Sequence, residues 1–112
     1  MPQSQQELIE RIHTSERKLV LALTGGGSGA ISALLEVPGA SASILETVVP
    51  YAEPALKRWL GGPVDQACSE RTARAMAMAA FERARSLTDA DPLLLRGIGA
   101  TVFFFGGVIP LA

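Results

Sequence analysis

The sequence predicts a layered α/β domain, and three features carry that expectation. Leu19-Val-Leu-Ala-Leu-Thr24 is a continuous apolar run stopped by glycines, the pattern of a strand covered on both faces. Ala73, Met76, Ala77, Ala80, Phe81, Ala84 and Leu87 recur at helical spacing and give one long helix an apolar face to lay against a sheet. Between and beyond these segments, helical and strand-forming stretches alternate, as in α/β/α layers. At 112 residues the chain has room for one small domain with one core, and no internal repeat divides it.

The elements follow in order. Ser4 and Glu7 have capping-box spacing, and Leu8, Ile9 and Ile12 line a first helix running to about Glu16, so that residues 1–17 form an N-terminal helix. The apolar strand over 18–24 leads into Gly25-Gly-Gly-Ser28-Gly29, after which Ile31, Leu34 and Leu35 fall on one side of a second helix. Val37-Pro-Gly-Ala-Ser41 breaks that helix. Ile44, Leu45, Val48 and Val49 then make a β-prone stretch closed by Pro50. Glu53-Pro54 opens a short helix carrying Leu56, Trp59 and Leu60, with Trp59 packed at its edge, and Gly61-Gly62-Pro63 stops it. Ser69 caps the long helix, whose other side holds Arg74, Met78, Glu82 and Arg85. Thr88-Asp-Ala-Asp-Pro92 is a polar turn, and strand-forming residues resume from Leu93 to Phe105.

Composition narrows the function classes. A net charge of -1 with 19% charged residues excludes a strongly basic nucleic-acid surface. One cysteine, Cys68, permits no internal disulfide, and the polar start Met1-Pro-Gln-Ser-Gln-Gln-Glu-Leu8 has no apolar signal core; both point to a reducing, cytoplasmic setting. Residues 97–112 carry no charge, but their glycines and Pro110 interrupt a stretch already shorter than the roughly 20 residues of a membrane span. The only histidine, His13, sits on the first helix at a surface or helix-end position, and with Cys68 distant there is no metal-ligand spacing. Asp89 and Asp91 read as turn formers. Glu46 and Glu53 read as solvent-exposed, and the arginines at 71, 74, 83 and 85 either meet a phosphate or, more simply, water. No cofactor is called for.

The glycine loop is the first functional candidate. Consecutive glycines let the backbone turn sharply and approach a ligand, and amides at a helix start attract an anion. Residues 24–30 are therefore a candidate phosphate or carboxylate site. The spacing fits neither Gly-x-x-x-x-Gly-Lys-Ser/Thr nor Gly-x-Gly-x-x-Gly, so a tight connection alone is the alternative.

Four segments, in order, resemble the carboxy-terminal domain of CinA proteins, which includes nicotinamide-mononucleotide deamidases. Ala22-Leu-Thr24-Gly-Gly-Gly-Ser28 is similar to the family's Ala-Glu-Ser-Cys-Thr-Gly-Gly turn, and Val37-Pro-Gly-Ala-Ser41 to its Val-Pro-Gly-Ser-Ser turn. Tyr51-Ala-Glu-Pro-Ala-Leu-Lys57-Arg-Trp-Leu60-Gly61 resembles a Tyr-Ser-Asn-Glu-Ala-Lys segment ending in Leu-Gly. Cys68-Ser69-Glu-Arg-Thr72-Ala-Arg-Ala-Met76-Ala77 resembles a Val-Ser-x-x-Thr-Ala-x-x-Met-Ala helix. The likeness spans about residues 15–100.

This resemblance implies amide hydrolysis, with a hydroxyl of the glycine turn as nucleophile and the lysine of the tyrosine segment assisting. Aligned from the downstream Val-Pro-Gly turn, Thr24 stands at the family's serine, and by the Thr-Gly-Gly letters at its threonine; either way it is the candidate hydroxyl, with Ser28 behind it. An ungapped match through Tyr51 and Gly61 puts Leu56 at the lysine position and Lys57 one residue later, a rotation of about 100° on a helix. The plainer reading makes Lys57 and Arg58 a solvated helix face. The ligand set implied is Gly25, Gly26, Gly27, Ser28 and Gly29 in the loop, Tyr51, and Gly97, Gly99 and Thr101, which match the start of the family's Gly-Ile-Ala-Gly-Pro nucleotide loop. From Val102 the sequence departs from the family. Residues 102–112 form a divergent apolar tail of a single domain over 1–112, expected to be buried against the sheet or a second copy in a homo-oligomer.

Two functions follow. One is a module that binds a small phosphate-bearing nucleotide or related anion at the 24–30 loop with weak or no catalysis. The other is a nicotinamide-nucleotide amidohydrolase with Thr24 as nucleophile.

Overall fold

Strand β1 (Lys18–Leu23) is the centre of the molecule, and Val20 and Ala22 on it have no exposed surface. The computed structural model describes residues 4–25, 27–64, 69–101 and 105–108. In chain order they form α1 (Gln5–His13), β1, α2 (Ser28–Glu36), β2 (Ile44–Val48), α3 (Glu53–Leu60), α4 (Glu70–Leu87), β3 (Leu95–Ala100) and β4 (Phe105–Val108), with 3₁₀ turns at Ala40–Ala42 and Pro92–Leu94. The sheet order is β2-β1-β3-β4. β1 runs parallel to both β2 and β3, with Ala22 opposite Val48 on one side and Gly99 on the other, and β4 is antiparallel to β3.

The crossover from β1 to β2 moves one way along the sheet and the one from β2 to β3 moves the other way, past β1. Right-handed connections then put α2 on one face and α3–α4 on the other, the layered arrangement expected from the sequence. Val20 packs with Ala80, Ala84 and Leu95, and Ala22 with Leu56 and Met76, so the even positions of β1 face α4. The predicted stripe of α4 is buried through Ala73, Met76, Ala77, Ala80 and Ala84, while Phe81 is half-buried and Leu87, at the helix end, is exposed. Gly97 and Gly99 let α4 close on β3: a Cβ at Gly97 would lie 2.3 Å from the Ala77 carbonyl oxygen, and one at Gly99 2.4 Å from that of Ala73. No side chain fits there without moving the helix.

Three expectations are corrected in detail. α1 ends at His13 rather than near Glu16, because the Thr14 hydroxyl donates to the Glu10 carbonyl and the Ser15 hydroxyl to that of Ile12, and Glu16 then takes a left-handed backbone (φ 66°). Leu93 and Leu94 belong to the 3₁₀ turn before β3, where the Asp91 carboxylate accepts from the Leu93 amide, as its turn-forming role required. His13 is not a surface residue. It is 5% exposed, with Nε2 2.9 Å from the Leu34 carbonyl oxygen and Nδ1 2.6 Å from Ser43 Oγ, pinning α1 to the end of α2 and the start of β2. A carbonyl can only accept, so Nε2 carries the proton.

On the second face, Leu19, Leu21 and Leu23 are buried, and a Cβ at Gly27 would sit 3.5 Å from Leu23, which places the start of α2 there. α2 itself is lightly packed: Ile31 and Leu34 are half-buried and Leu35 is exposed. Of the expected apolar tail, β4 is described; residues 102–104 and 109–112, with Gly26 and Cys68, lie outside the described residues.

Candidate functional site

Parallel strands end together, and the connection leaving β1 for β2 parts there from the one returning to β3. In an open α/β sheet that switch point is where the carboxyl ends of the strands open a crevice. Thr24 follows β1 and Thr101 follows β3 at this edge, tied by the Thr24 amide donating to the Ala100 carbonyl at 3.1 Å. Thr101 is buried and Thr24 half-buried. Gly25 takes φ 136°, a conformation reserved for glycine, and turns the chain into α2.

Two helix N-termini converge on the same edge. α4 runs antiparallel to β3, since Gly97 faces Ala77 and Phe81 while Gly99 faces Ala73, so its start lies towards Thr101. That start is compensated: Ser69 Oγ accepts from the Thr72 amide at 3.1 Å, and Glu70 occupies the first turn. α2 has Gly27 as its N-cap, no side-chain cap bond and no acid in its first turn, which leaves its positive end without a counter-charge of its own. Its amides are partly committed, because Ser28 N donates to Gly25 O and Ala30 N to Gly27 O. Gly27 and Gly29 flank Ser28 at this helix start, and the Ser28 side chain is exposed.

Lys57 and Tyr51 both lie on the surface. Tyr51, beyond β2, is 76% exposed. Lys57 projects from the outer side of α3, half exposed, with Nζ 2.9 Å from Glu53 Oε1. The residue that turns inward is Leu56, 1% exposed and packed with Ala22 and Met76. Gly97 and Gly99 likewise turn towards α4, where their lack of a side chain serves helix packing. The arginines considered for a phosphate are divided. Arg83 makes a two-pronged pair with Glu46 at 2.8 and 3.2 Å, which raises its pKa through that hydrogen bond and the carboxylate charge. Arg74 pairs with Glu70 and Arg85 with Glu82. Arg71 lines a cavity of about 330 Å³ beside Ser69 and Thr72, next to Leu60 and Val64. Sequence reasoning took Ser69 for a cap alone and left Thr72 unassigned; the signal was their spacing of three in the segment resembling Val-Ser-x-x-Thr-Ala. Ser69 Oγ also donates to Thr72 Oγ1 at 3.0 Å.

Residues 2–89 match the CinA C-terminal domain. The chain belongs to this family. Among solved structures, the competence/damage inducible protein CihA from Agrobacterium tumefaciens is similar at 30% identity and a TM-score of 0.64, over 76% of this chain and 57% of that one. A competence-damaged protein (CinA) superfamily protein from Escherichia coli is similar at 26% identity and a TM-score of 0.60, over 72% of this chain and 50% of that one. This CinA-type chain thus spans about half the length of these structures. No curated protein sequence matches it. Among the described residues, no helix is long and apolar enough to cross a membrane.

Proposed function

We propose that this CinA-type domain binds a small phosphate-bearing nucleotide, or a related anion, at the 24–30 loop and turns it over weakly or not at all. The observation that carries the proposal is the start of α2 at the switch point of the sheet. It has a glycine cap, no acidic residue in its first turn, and the Gly27 and Gly29 amides beside the Thr24 and Ser28 hydroxyls. Such a site needs only backbone donors and a helix dipole to hold a phosphate.

Weak turnover follows from the neighbourhood of Thr24. A threonine hydroxyl is a poor nucleophile unless a base lies within hydrogen-bond reach. Where the family resemblance implies a helper lysine, this chain has Leu56 in the core, and Lys57, one step around α3, is held by Glu53. The second reading, a nicotinamide-nucleotide amidohydrolase with Thr24 as nucleophile, rests on the family and on the position of Thr24 at the strand end.

One experiment separates them. Titration with nicotinamide mononucleotide should slow hydrogen exchange at the amides of residues 27–29 with little or no ammonia released. Vigorous ammonia release that Thr24→Ala abolishes would establish the amidohydrolase. Absence of any protection at 27–29 by either the nucleotide or inorganic phosphate would refute the anion site.

A further inference from the structure

The side of the sheet opposite α4 carries a cavity of about 560 Å³, away from the glycine loop. Leu19 and Ile98 form its floor, Leu8 and Ile12 of α1 one lip, and β4 at Gly107 and Val108 the other, with Gly107 opposite Ile98 on this face. That volume is in the range of small-molecule sites, and an apolar trough with few polar groups is their usual composition. Among the described residues its charged lining has one sign: Arg11, Arg17 and Arg96, with no carboxylate. Arg96 Nη1 donates to the Leu93 and Leu95 carbonyls at 2.8 and 2.7 Å, and among the described residues neither Arg17 nor Arg96 is in a salt bridge. Burial and the neighbouring Arg17 both lower the Arg96 pKa, so the two guanidinium groups are close enough to repel.

We infer that this groove binds a single-chain amphiphile with a carboxylate head, the alkyl chain along Leu19 and Ile98 and past Gly107, and the carboxylate between Arg17 and Arg96. Charge complementarity selects this occupant. A carboxylate accepts from guanidinium N–H groups in the fork geometry that arginine presents, and it removes the repulsion between the two. The alkyl chain covers sheet surface that α1 leaves open. A cationic or neutral chain of equal length gains only the second effect. The groove is separate from the 24–30 loop, so occupancy does not depend on the anion site.

Dodecanoate below its micellar concentration is the probe, titrated calorimetrically into the full chain. One molecule should bind per chain, and Arg17→Gln with Arg96→Gln should weaken it at least tenfold while leaving dodecanol unaffected. Gly107 lines the groove and has open space where its Cβ would stand, so Gly107→Phe should fill the trough and abolish binding without lowering the melting temperature. That second variant holds even if loss of the Arg96 bonds unsettles the 3₁₀ turn. Equal affinity for dodecyltrimethylammonium, no binding of dodecanoate, or a sedimenting dimer that Gly107→Phe dissociates would each overturn the inference, the last by making a second copy the occupant.

Discussion

Gly97→Ala is the sharpest test of how the sheet and α4 are joined. The new Cβ would stand 2.3 Å from Ala77 O, 2.4 Å from Phe81 N and 2.8 Å from Phe81 Cα, all main-chain atoms, where ordinary contact begins near 3.4 Å. No rotamer change relieves a clash with backbone, so α4 must retreat by about 1 Å. Such a gap forfeits up to about half the contact energy of the atoms it separates, along a face where Ala73, Met76, Ala77, Ala80 and Ala84 have no exposed surface. Overpacking costs about 1–3 kcal/mol, and a rigid obstacle belongs at the upper end. Alanine restricts the unfolded chain and returns about 0.4–1 kcal/mol, leaving a net loss of about 2 kcal/mol. For a domain of this size that lowers the melting temperature by roughly 8–16 °C. Gly107→Ala, in open space on the neighbouring strand, is the control and should change it little. Thermal unfolding followed by circular dichroism reads both. Equal melting temperatures for the two variants would show that α4 does not rest on the β3 backbone.

Other perturbations follow from the same geometry. His13→Ala takes the ring donor from the Leu34 carbonyl and leaves Ser43 Oγ only the longer bond to the Ala40 carbonyl, and should cost about 1–3 kcal/mol in urea unfolding; a loss under 0.5 kcal/mol would mean water replaces the ring without penalty. Ser69→Ala removes the cap of α4 and should cost about 1 kcal/mol by the same assay, with no loss if the Thr72 amide is satisfied otherwise. Lys57→Ala should leave nucleotide binding, measured by calorimetry, unchanged; a tenfold weakening would place Lys57 at the ligand despite its pairing with Glu53.

Much of the fold was legible because its signals are local. The apolar run of β1, the stripe of α4, Pro54 at the start of α3 and the left-handed Gly61 at its end each state their element in a few residues. What was not legible depends on distant partners. His13 reads as a helix-end residue until β2 brings Ser43 beside it, thirty positions on. Gly97 and Gly99 read as loop glycines until α4 lies against them, and nothing local distinguishes a glycine needed for a ligand from one needed for a helix. The loop at Thr24–Gly29 was recognised from composition, but that its turn ties Ser28 N to Gly25 O and Ala30 N to Gly27 O depended on the turn geometry. The displacement of Lys57 was visible by counting; that Leu56 fills the core in its stead required the packing.

Where α4 crosses β3, the contact is alanine and helix backbone against glycine, and this sets the thermodynamic character of that strip. Burying leucine or isoleucine freezes rotamers at a cost of about 0.5–1 kcal/mol each, whereas alanine and glycine have no such freedom to lose. Where Ala73 and Ala77 cross Gly99 and Gly97, main chain therefore meets main chain with few side-chain degrees of freedom between them. That strip has no graded way to loosen; it is seated or it is apart. The start of α4, with Ser69 and Thr72, is thus held in register with the strand ends over the same range of conditions in which the domain itself stays folded.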